Sequence, residues 1–590
     1  VEVVLDGARA VPLHAEPGGY FSGSDENSGA GTQYQFRLDG RRELFPDPAS
    51  RRQPLGPHGP SQIVDPASFQ WSDRDWPGVR LEGQVVYEMH IGTYTREGTW
   101  RAALRHLPEL KDTGITLLEI MPVADFPGAF GWGYDGVGLF APKEAYGSPD
   151  DFRAFVDYSH RLGLGVILDV VYNHFGPDGN YLREFSEHYF TSRYKNEWGE
   201  AINFDGPPSG PVREFFEVNA RYWISEFHLD GLRLDATQQI FDASTEHIIL
   251  RITNAARSAA GRRNIVLIGE NEPQNSRLVR PPEQGGYGLD AVWNDDFHHT
   301  AHVALTRRNE GYYSDYLGTP QEFISAIKWG FLYQGQHYTW QKKPRGTPVF
   351  DVKAAAFVNY IENHDQVANS VTGQRTHQLT SPGRLRAITA LLLLGPGTPL
   401  LLQGQEFGAS TPFLYFADHN ETLAPLVQKG RVEFLKQFPS IFESHPCIPA
   451  PHERSTFEKC QLNHSEREKN AHIVALHRDL LRLRREDPVF RVQQSDRIQG
   501  AVLGDEAFLL RFFGGDYGDR LLLVNLGRDL SLSPIPEPLL APPDGIQWRT
   551  IWSSESPPYL GCGREPLDQK GRWFINGESA AVLSSENGIE

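Results

Sequence analysis

Between Val85 and Gly408 the chain alternates short, near-continuously apolar runs with longer stretches of helical period. Strands covered on both faces have that texture because neither face meets water, and helical segments between them predict βα units with parallel strands. Eight such runs occur, at residues 85–91, 117–122, 166–171, 231–235, 265–269, 291–294, 356–361 and 400–403. Eight parallel strands predict closure into an α/β fold of the (β/α)8 TIM-barrel type.

The flanks read differently. Residues 1–40 carry short alternating runs such as 1–5 and 34–38, the second ending at Asp39-Gly40, and predict an N-terminal β-sandwich. Six prolines from Pro46 to Pro66 exclude a regular helix or central strand and mark a connector. After Pro488, alternating segments at 507–513 and 520–525 predict a C-terminal β-sandwich. The expected division is 1–80 for the first sandwich and connector, 81–488 for the barrel and 489–590 for the second sandwich. Residues 175–214 and 409–463 are insertions after the third and eighth strands, on the face where barrels build their sites. The last helix is expected in one piece over 465–486, with Ser465 and Glu468 as a capping box and Ile473, Leu476, Leu480 and Leu483 on one face.

Of 590 residues, 39% are hydrophobic and 22% charged, which supplies a core without staples. A net charge of -18 repels phosphate backbones and anionic bilayers, which argues against nucleic-acid and membrane partners. The longest apolar run, 387–394, falls far short of the roughly 20 residues a bilayer span needs. Residues 1–13 lack a basic-then-apolar secretory pattern. Cys447, Cys460 and Cys562 have no C-x-x-C spacing, so neither a disulfide framework nor structural zinc is expected, and a reducing cytoplasm fits.

Polar residues stand where the apolar strands end. Asp235 closes the fourth run, Glu270 the fifth and Asp365 follows the seventh, each beside a donor or cation: Arg233, Asn271 and His364. One such carboxylate is more often a helix cap or surface ion pair. Three that converge on a barrel mouth can have their pKa values pushed apart, so that one stays ionised while another holds a proton. Two carboxylates of that kind flanking a glycosidic bond equip a glycoside hydrolase. Aromatic rings fit a sugar ligand: Trp132 and Tyr134 follow the second strand, and Tyr172, Trp293, Phe297 and Tyr415 lie near other strand ends. Flat rings cover the apolar faces of pyranoses, and Tyr134 is the best-placed platform.

Four motifs in order carry a resemblance: Asp169-Val170-Val171-Tyr172-Asn173-His174, Gly231-Leu232-Arg233-Leu234-Asp235-Ala236, Gly269-Glu270-Asn271 and Glu362-Asn363-His364-Asp365. Together they resemble the α-amylase superfamily of glycoside hydrolases. The resemblance implies Asp235 as nucleophile, Glu270 as general acid/base and Asp365 as a third carboxylate favouring the oxocarbenium-like state. It further implies that Arg233 holds Asp235 ionised, that His174 and His364 bind the sugar under attack, and that Tyr134 with Asp135 forms the family's Gly-Tyr-Asp motif. Asn173 matches a calcium ligand of many α-amylases, but residues 175–205 do not clearly supply the remaining oxygens, so no metal and no cofactor are expected.

The Trp132-Gly133-Tyr134-Asp135-Gly136-Val137 block and the leading, carbohydrate-module-like domain are similar to the branching-enzyme, isoamylase and trehalohydrolase group. Pro46-Asp47-Pro48-Ala49-Ser50-Arg51, His58-Gly59-Pro60-Ser61, the stretch 198–205 and Gly408-Ala409-Ser410-Thr411-Pro412-Phe413 narrow the similarity to the maltooligosyltrehalose trehalohydrolase family. That family cleaves the α-1,4 bond next to a terminal trehalose. The resemblance therefore implies a maltooligosaccharide with a terminal trehalose as substrate and functional pairing with a maltooligosyltrehalose synthase. Gln238, Asp295, Asp296, His298, Gln366 and Asn369, on loops after strands four, six and seven, are the candidates for holding the disaccharide. The nearest rival is a 1,4-α-glucan branching enzyme; a barrel that only binds sugar would be expected to have lost its carboxylates.

Overall fold

The computed structural model describes residues 1–443, 448–564, 566–568 and 572–585. Eight parallel strands close into a barrel: β1 Val86–Met89, β2 Leu117–Ile120, β3 Gly165–Val170, β4 Gly231–Leu234, β5 Val266–Gly269, β6 Ala291–Trp293, β7 Phe357–Tyr360 and β8 Thr398–Leu402. Each falls within or beside a predicted run, and β8 pairs back onto β1 with Leu400 opposite Val86. Gly231 opens β4 at φ 152°, and a Cβ there would meet the Val266 carbonyl oxygen at 1.7 Å, so only glycine lets β4 and β5 approach this closely.

The barrel interior has two layers of different chemistry. Val86, Leu117, Ile167, Val266, Ile268, Val358 and Leu400 fill the lower part. Two residues along the first three of these strands, the same inward face carries Glu88, Glu119 and Asp169, and β4 adds Arg233; all four are buried.

Helices follow the strands as predicted except once. Between β5 and β6 the described chain forms only the 3₁₀ turns Ser276–Leu278 and Pro282–Gln284. Pro273, Pro281, Pro282, Gly285, Gly286 and Gly288 crowd this link and forbid a regular helix. The expected helix over 465–486 is likewise two, Glu466–Lys469 and Ala471–Glu486. Asn470 breaks it by donating its side-chain amide to the carbonyls of Phe407 and Gly408, and the Ser465 hydroxyl bonds Asn463 instead of capping.

The C-terminal unit is the predicted sandwich. A five-stranded antiparallel sheet faces a three-stranded one across Leu509, Leu521, Leu523, Trp573 and Ile575. Its opposite face packs on the barrel, where Phe508 stacks on Phe323. At the N-terminal end lie a four-stranded antiparallel sheet (Arg9–Pro12, Glu2–Leu5, Gln33–Arg37, Ser61–Gln62) and a two-stranded ribbon, the expected β domain. The first insertion is a hairpin, Phe190–Lys195 with Glu200–Ile202, and the second carries the helices Ala424–Leu435, Pro439–Phe442 and Arg454–Lys459. Cys460 and Cys562 are free thiols, and Cys447 lies outside the described residues. Among the described residues no helix is long and apolar enough to cross a membrane.

Candidate active site

The carboxylates converge where β4, β5 and β7 end. Beyond β4 the Asp235 amide still donates to Val170 at 3.1 Å, which fixes the start of its side chain. Ala236 then turns at φ 37°, a left-handed conformation unusual for alanine, and aims its N–H at Glu270 Oε2, 2.9 Å away. The Arg233 guanidinium lies beneath both acids. Its Nη1 reaches Asp235 Oδ1 at 2.8 Å and Asp169 Oδ2 at 2.7 Å, and its Nη2 ion-pairs with Glu270 Oε2 at 2.8 Å. The Trp293 ring covers this cation, with its centroid 4.1 Å from Cζ.

That geometry separates the two acids. Asp235 accepts a second bond from Asn173 Nδ2 at 2.7 Å, so two fixed donors favour its anion. Burial raises its pKa nevertheless, with Arg233 as the largest opposing influence and a hydrogen bond from Glu270 acting in the same direction as Arg233. Burial pushes Glu270 up to about 7; Arg233 resists, while the charges of Asp235 and Asp365 add to the rise. Both carboxyls are thus held above their ordinary values, Glu270 up to about 7. One buried guanidinium braces two acids whose surroundings differ.

Asp365 stands in the first turn of His364–Ala368 with its side chain 41% exposed, open to a ligand. His364 stacks on Tyr134 at 5.3 Å, and its Nε2 faces the Tyr134 hydroxyl at 2.9 Å and Asp365 Oδ2 at 3.4 Å. Tyr134 in turn donates to Asp169 Oδ2 at 2.6 Å. His174 holds the Tyr134 carbonyl at 3.0 Å through Nε2 and contacts Asn173 Oδ1 through Nδ1, and burial lowers its pKa. Asn173 thereby commits its amide to Asp235 and its carbonyl to His174. Asp135 pairs with His419 of the second insertion at 3.0 Å. Trp198, exposed between the strands of the first insertion, lies 6.1 Å from the His174 ring.

The six candidates for the disaccharide divide. Asp295 sits within electrostatic reach of Glu270: it accepts from Tyr360 at 2.5 Å and Arg345 at 3.2 Å, and burial pushes it up to about 7, with the Glu270 charge contributing. Gln366 Oε1 receives the hydroxyls of Tyr312 and Tyr313, and Asn369 bridges Tyr312 to Arg431. Gln238 follows Asp235 in the 3₁₀ turn Thr237–Gln239, and its buried Oε1 has no hydrogen-bond partner among the described residues.

Asp296 and His298 are placed differently from the reading of the sequence. Asp296 is fully buried and accepts from Tyr316 at 2.5 Å and from the amides of Leu332 and Tyr333 at 2.6 and 3.0 Å. His298 bridges the Ile361 carbonyl and the Tyr313 hydroxyl, and burial pushes it down to about 3. Both tie loops to the helix Asp295–Thr306 instead of facing the cleft. Asp296→Ala is expected to cost about 3 kcal/mol of folding stability, because it leaves three buried donors unmet; chemical denaturation measures this directly.

Sequence reading passed over Glu88, Glu119, Arg345 and Arg431. The first two are single carboxyls inside apolar strands, a detectable signal. The arginines sit on loops whose path is not local, and Arg345 binds Asp295 and the carbonyl of Glu272, whose carboxylate also meets Gln341.

Comparison with known proteins agrees with this geometry. The profile of the α-amylase catalytic domain matches residues 62–206, and a domain of unknown function, DUF3459, matches 496–574. Malto-oligosyltrehalose trehalohydrolase of Deinococcus radiodurans is 43% identical over 85% of this chain and 82% of its own length. The protein of that name from Rhizobium sp. is 37% identical over 92% of both chains. The chain belongs to the malto-oligosyltrehalose trehalohydrolase family. Relation of this trehalohydrolase-family chain to the branching enzyme GlgB of Mycobacterium tuberculosis is thinner, 30% identity over 64% of the chain and 52% of that enzyme. Among solved structures, an α-amylase candidate from Salmonella typhimurium superposes with a TM-score of 0.86 at 36% identity, covering 99% of this chain and 96% of that one. Type I pullulanase of Bacillus subtilis, at 19% identity and a TM-score of 0.71 over 99% of this chain and 82% of that one, shares the fold.

Proposed function

We propose that this member of the trehalohydrolase family is a retaining glycoside hydrolase that cuts the α-1,4-glucosidic bond adjoining the terminal trehalose of a maltooligosyltrehalose. The products are trehalose and a maltooligosaccharide. The observation that carries the reading is the single Arg233 guanidinium bonded to Asp235 and Glu270 together. An inverting pair leaves about 6.5–9.5 Å between carboxyls to admit a water, whereas two carboxyls held on one guanidinium suit direct attack.

In this mechanism an Asp235 oxygen attacks the anomeric carbon as Glu270 gives its proton to the departing glycosidic oxygen. The resulting glycosyl ester is then opened by a water that Glu270, now anionic, deprotonates. Asp365 and His364 hold hydroxyls of the ring under attack, and Tyr134, fixed by Asp169 and His364, covers its apolar face. The trehalose side is bounded by Gln238, Asp295 and the Tyr312–Gln366–Asn369 cluster, with Arg345 and Glu272 behind them. Substrate supply by a synthase that builds the trehalose terminus on a maltooligosaccharide belongs to the same proposal.

Chromatography of products from maltopentaose and maltotriosyl trehalose tests it. Trehalose and maltotriose should appear from the second substrate far faster than anything from the first. Equal cleavage of both defeats the disaccharide reading, and new α-1,6 links in amylose without hydrolysis indicate a branching enzyme instead.

A further inference from the structure

Glu88 takes part in none of these steps, yet its carboxylate is turned wholly toward one residue of the site. It lies on the inward face of β1, buried, and accepts twice from His364: the backbone N–H at 3.0 Å on Oε2 and Nδ1 at 2.5 Å on Oε1. Barrel closure builds the contact, since β1 adjoins β8, and Gln403 at the end of β8 donates its amide to the Glu88 carbonyl at 2.9 Å.

Proton counting around the imidazole is restrictive. Nδ1 faces a carboxylate, so it carries hydrogen. Nε2 faces the Tyr134 oxygen, whose own proton is given to Asp169, and beyond it Asp365 Oδ2, so both of its neighbours are acceptors. Among the described residues, each side-chain oxygen in contact with a ring nitrogen is placed to accept a proton. We propose that Glu88 is a positioning residue that keeps His364 an imidazolium, so that the glycosyl unit under attack always meets a charged donor there.

The remaining charges around His364 are consistent with this. Burial works against the cation, but Asp365 and Glu88 outweigh it and push the group up to about 10, with Arg233 opposing. His90, also on the β1 side, is driven down to about 4 by burial and stays neutral. Glu119 pairs with Glu88 across the β1–β2 register; burial holds it well above its ordinary value, and neither of its oxygens has a hydrogen-bond partner among the described residues. Glu88 and Asp365 are the carboxylates in contact with the ring nitrogens. Asp169, whose pKa burial raises, feels the His364 charge and is linked to its ring through the Tyr134 hydroxyl.

The inference rests on the catalytic assignment above, and its test separates the two. α-Maltotriosyl fluoride needs no proton on its leaving group, so kcat/KM with this substrate removes the titration of Glu270 from the first step. Wild-type kcat/KM should stay level from about pH 6 to pH 9. Glu88→Gln should match it within a few-fold near pH 6 and fall at least about tenfold by pH 8.5, as His364 deprotonates nearer its ordinary value of 6.5. Glu88→Asp, which restores an anion, should recover most of the lost alkaline activity. A Glu88→Gln profile parallel to wild type, including a uniform loss at every pH, overturns the proposal, because a packing role alone would not be pH-dependent. NMR of wild-type enzyme labelled at histidine Cε1, with His364→Gln for assignment, decides the matter without a Glu88 variant: the His364 signal should not titrate below about pH 8, and titration near 6.5 overturns the proposal. If Asp235→Asn retains turnover, the site reading fails; if that variant is inactive and Glu88→Gln follows wild type, only the role of Glu88 fails.

Discussion

Asparagine in place of Asp235 is expected to lower kcat on maltotriosyl trehalose by about 10⁴-fold or more, some 5–6 kcal/mol of transition-state stabilisation. An amide cannot form the glycosyl ester, and its NH₂ would meet either Arg233 Nη1 or Asn173 Nδ2, donor against donor. The fold should not suffer. Burial raises the Asp235 pKa, so its charge is held at a cost in the native state, and a neutral isostere removes that cost. The thermal midpoint of the variant should equal or exceed that of wild type, as when a functional charge is removed from a buried site. A variant that is inactive and also unfolded would make the residue structural; a folded variant with near-normal turnover would remove it from the chemistry.

Glutamine in place of Glu270 is expected to reduce turnover of the same substrate by about 10²–10⁴-fold. With a fluoride leaving group the first step should be much less affected, because no proton has to be delivered. Wild-type activity on the natural linkage should hold below pH 7 and fall as pH rises through the value of about 7 to which Glu270 is pushed, and the variant should lack that limb. The stability consequence has a definite sign. The native state holds this proton more tightly than an unfolded chain, where the value is near 4.5, so folding stability from this group declines as pH climbs from about 4.5 to about 7. Glu270→Gln should flatten that part of the stability curve, which denaturant titrations at several pH values would show.

Some of this was legible in the chain and some was not. Barrel strands announce themselves because a strand buried on both faces must be apolar throughout, and Asp235 and Glu270 stand out as polar residues at the ends of such runs. By the same logic Glu88 in Val86–Met89 and Glu119 in Leu117–Ile120 were readable as misfits within apolar strands. Strand geometry places them two residues beyond a core position on the inward face. The missing helix between β5 and β6 was also written in the sequence, as prolines and glycines over 273–288. Asp296 and His298 were misplaced because a helix that starts near a barrel mouth turns only part of its first two turns toward the cleft. Asp295 feels the Glu270 charge, whereas Asp296 and His298 bond within the surrounding loops. Arg345 and Arg431 were beyond local reasoning, since their positions depend on how long loops fold back across the barrel.

Sharing one guanidinium gives the two acids a common clock. While Asp235 is an anion, its charge helps keep the proton on Glu270. In the proposed mechanism that charge is gone once Asp235 becomes an ester, and Arg233 then has one fewer acid to neutralise at the barrel mouth. Glu270 then loses part of what made it weak and gains a stronger cationic neighbour, so it becomes more willing to be an anion at the moment a water must be activated. When the ester opens, Asp235 recovers its charge and Glu270 its reluctance to ionise. The state of one residue therefore schedules the other, and no domain movement is needed to convert a proton donor into a proton acceptor and back within one turnover.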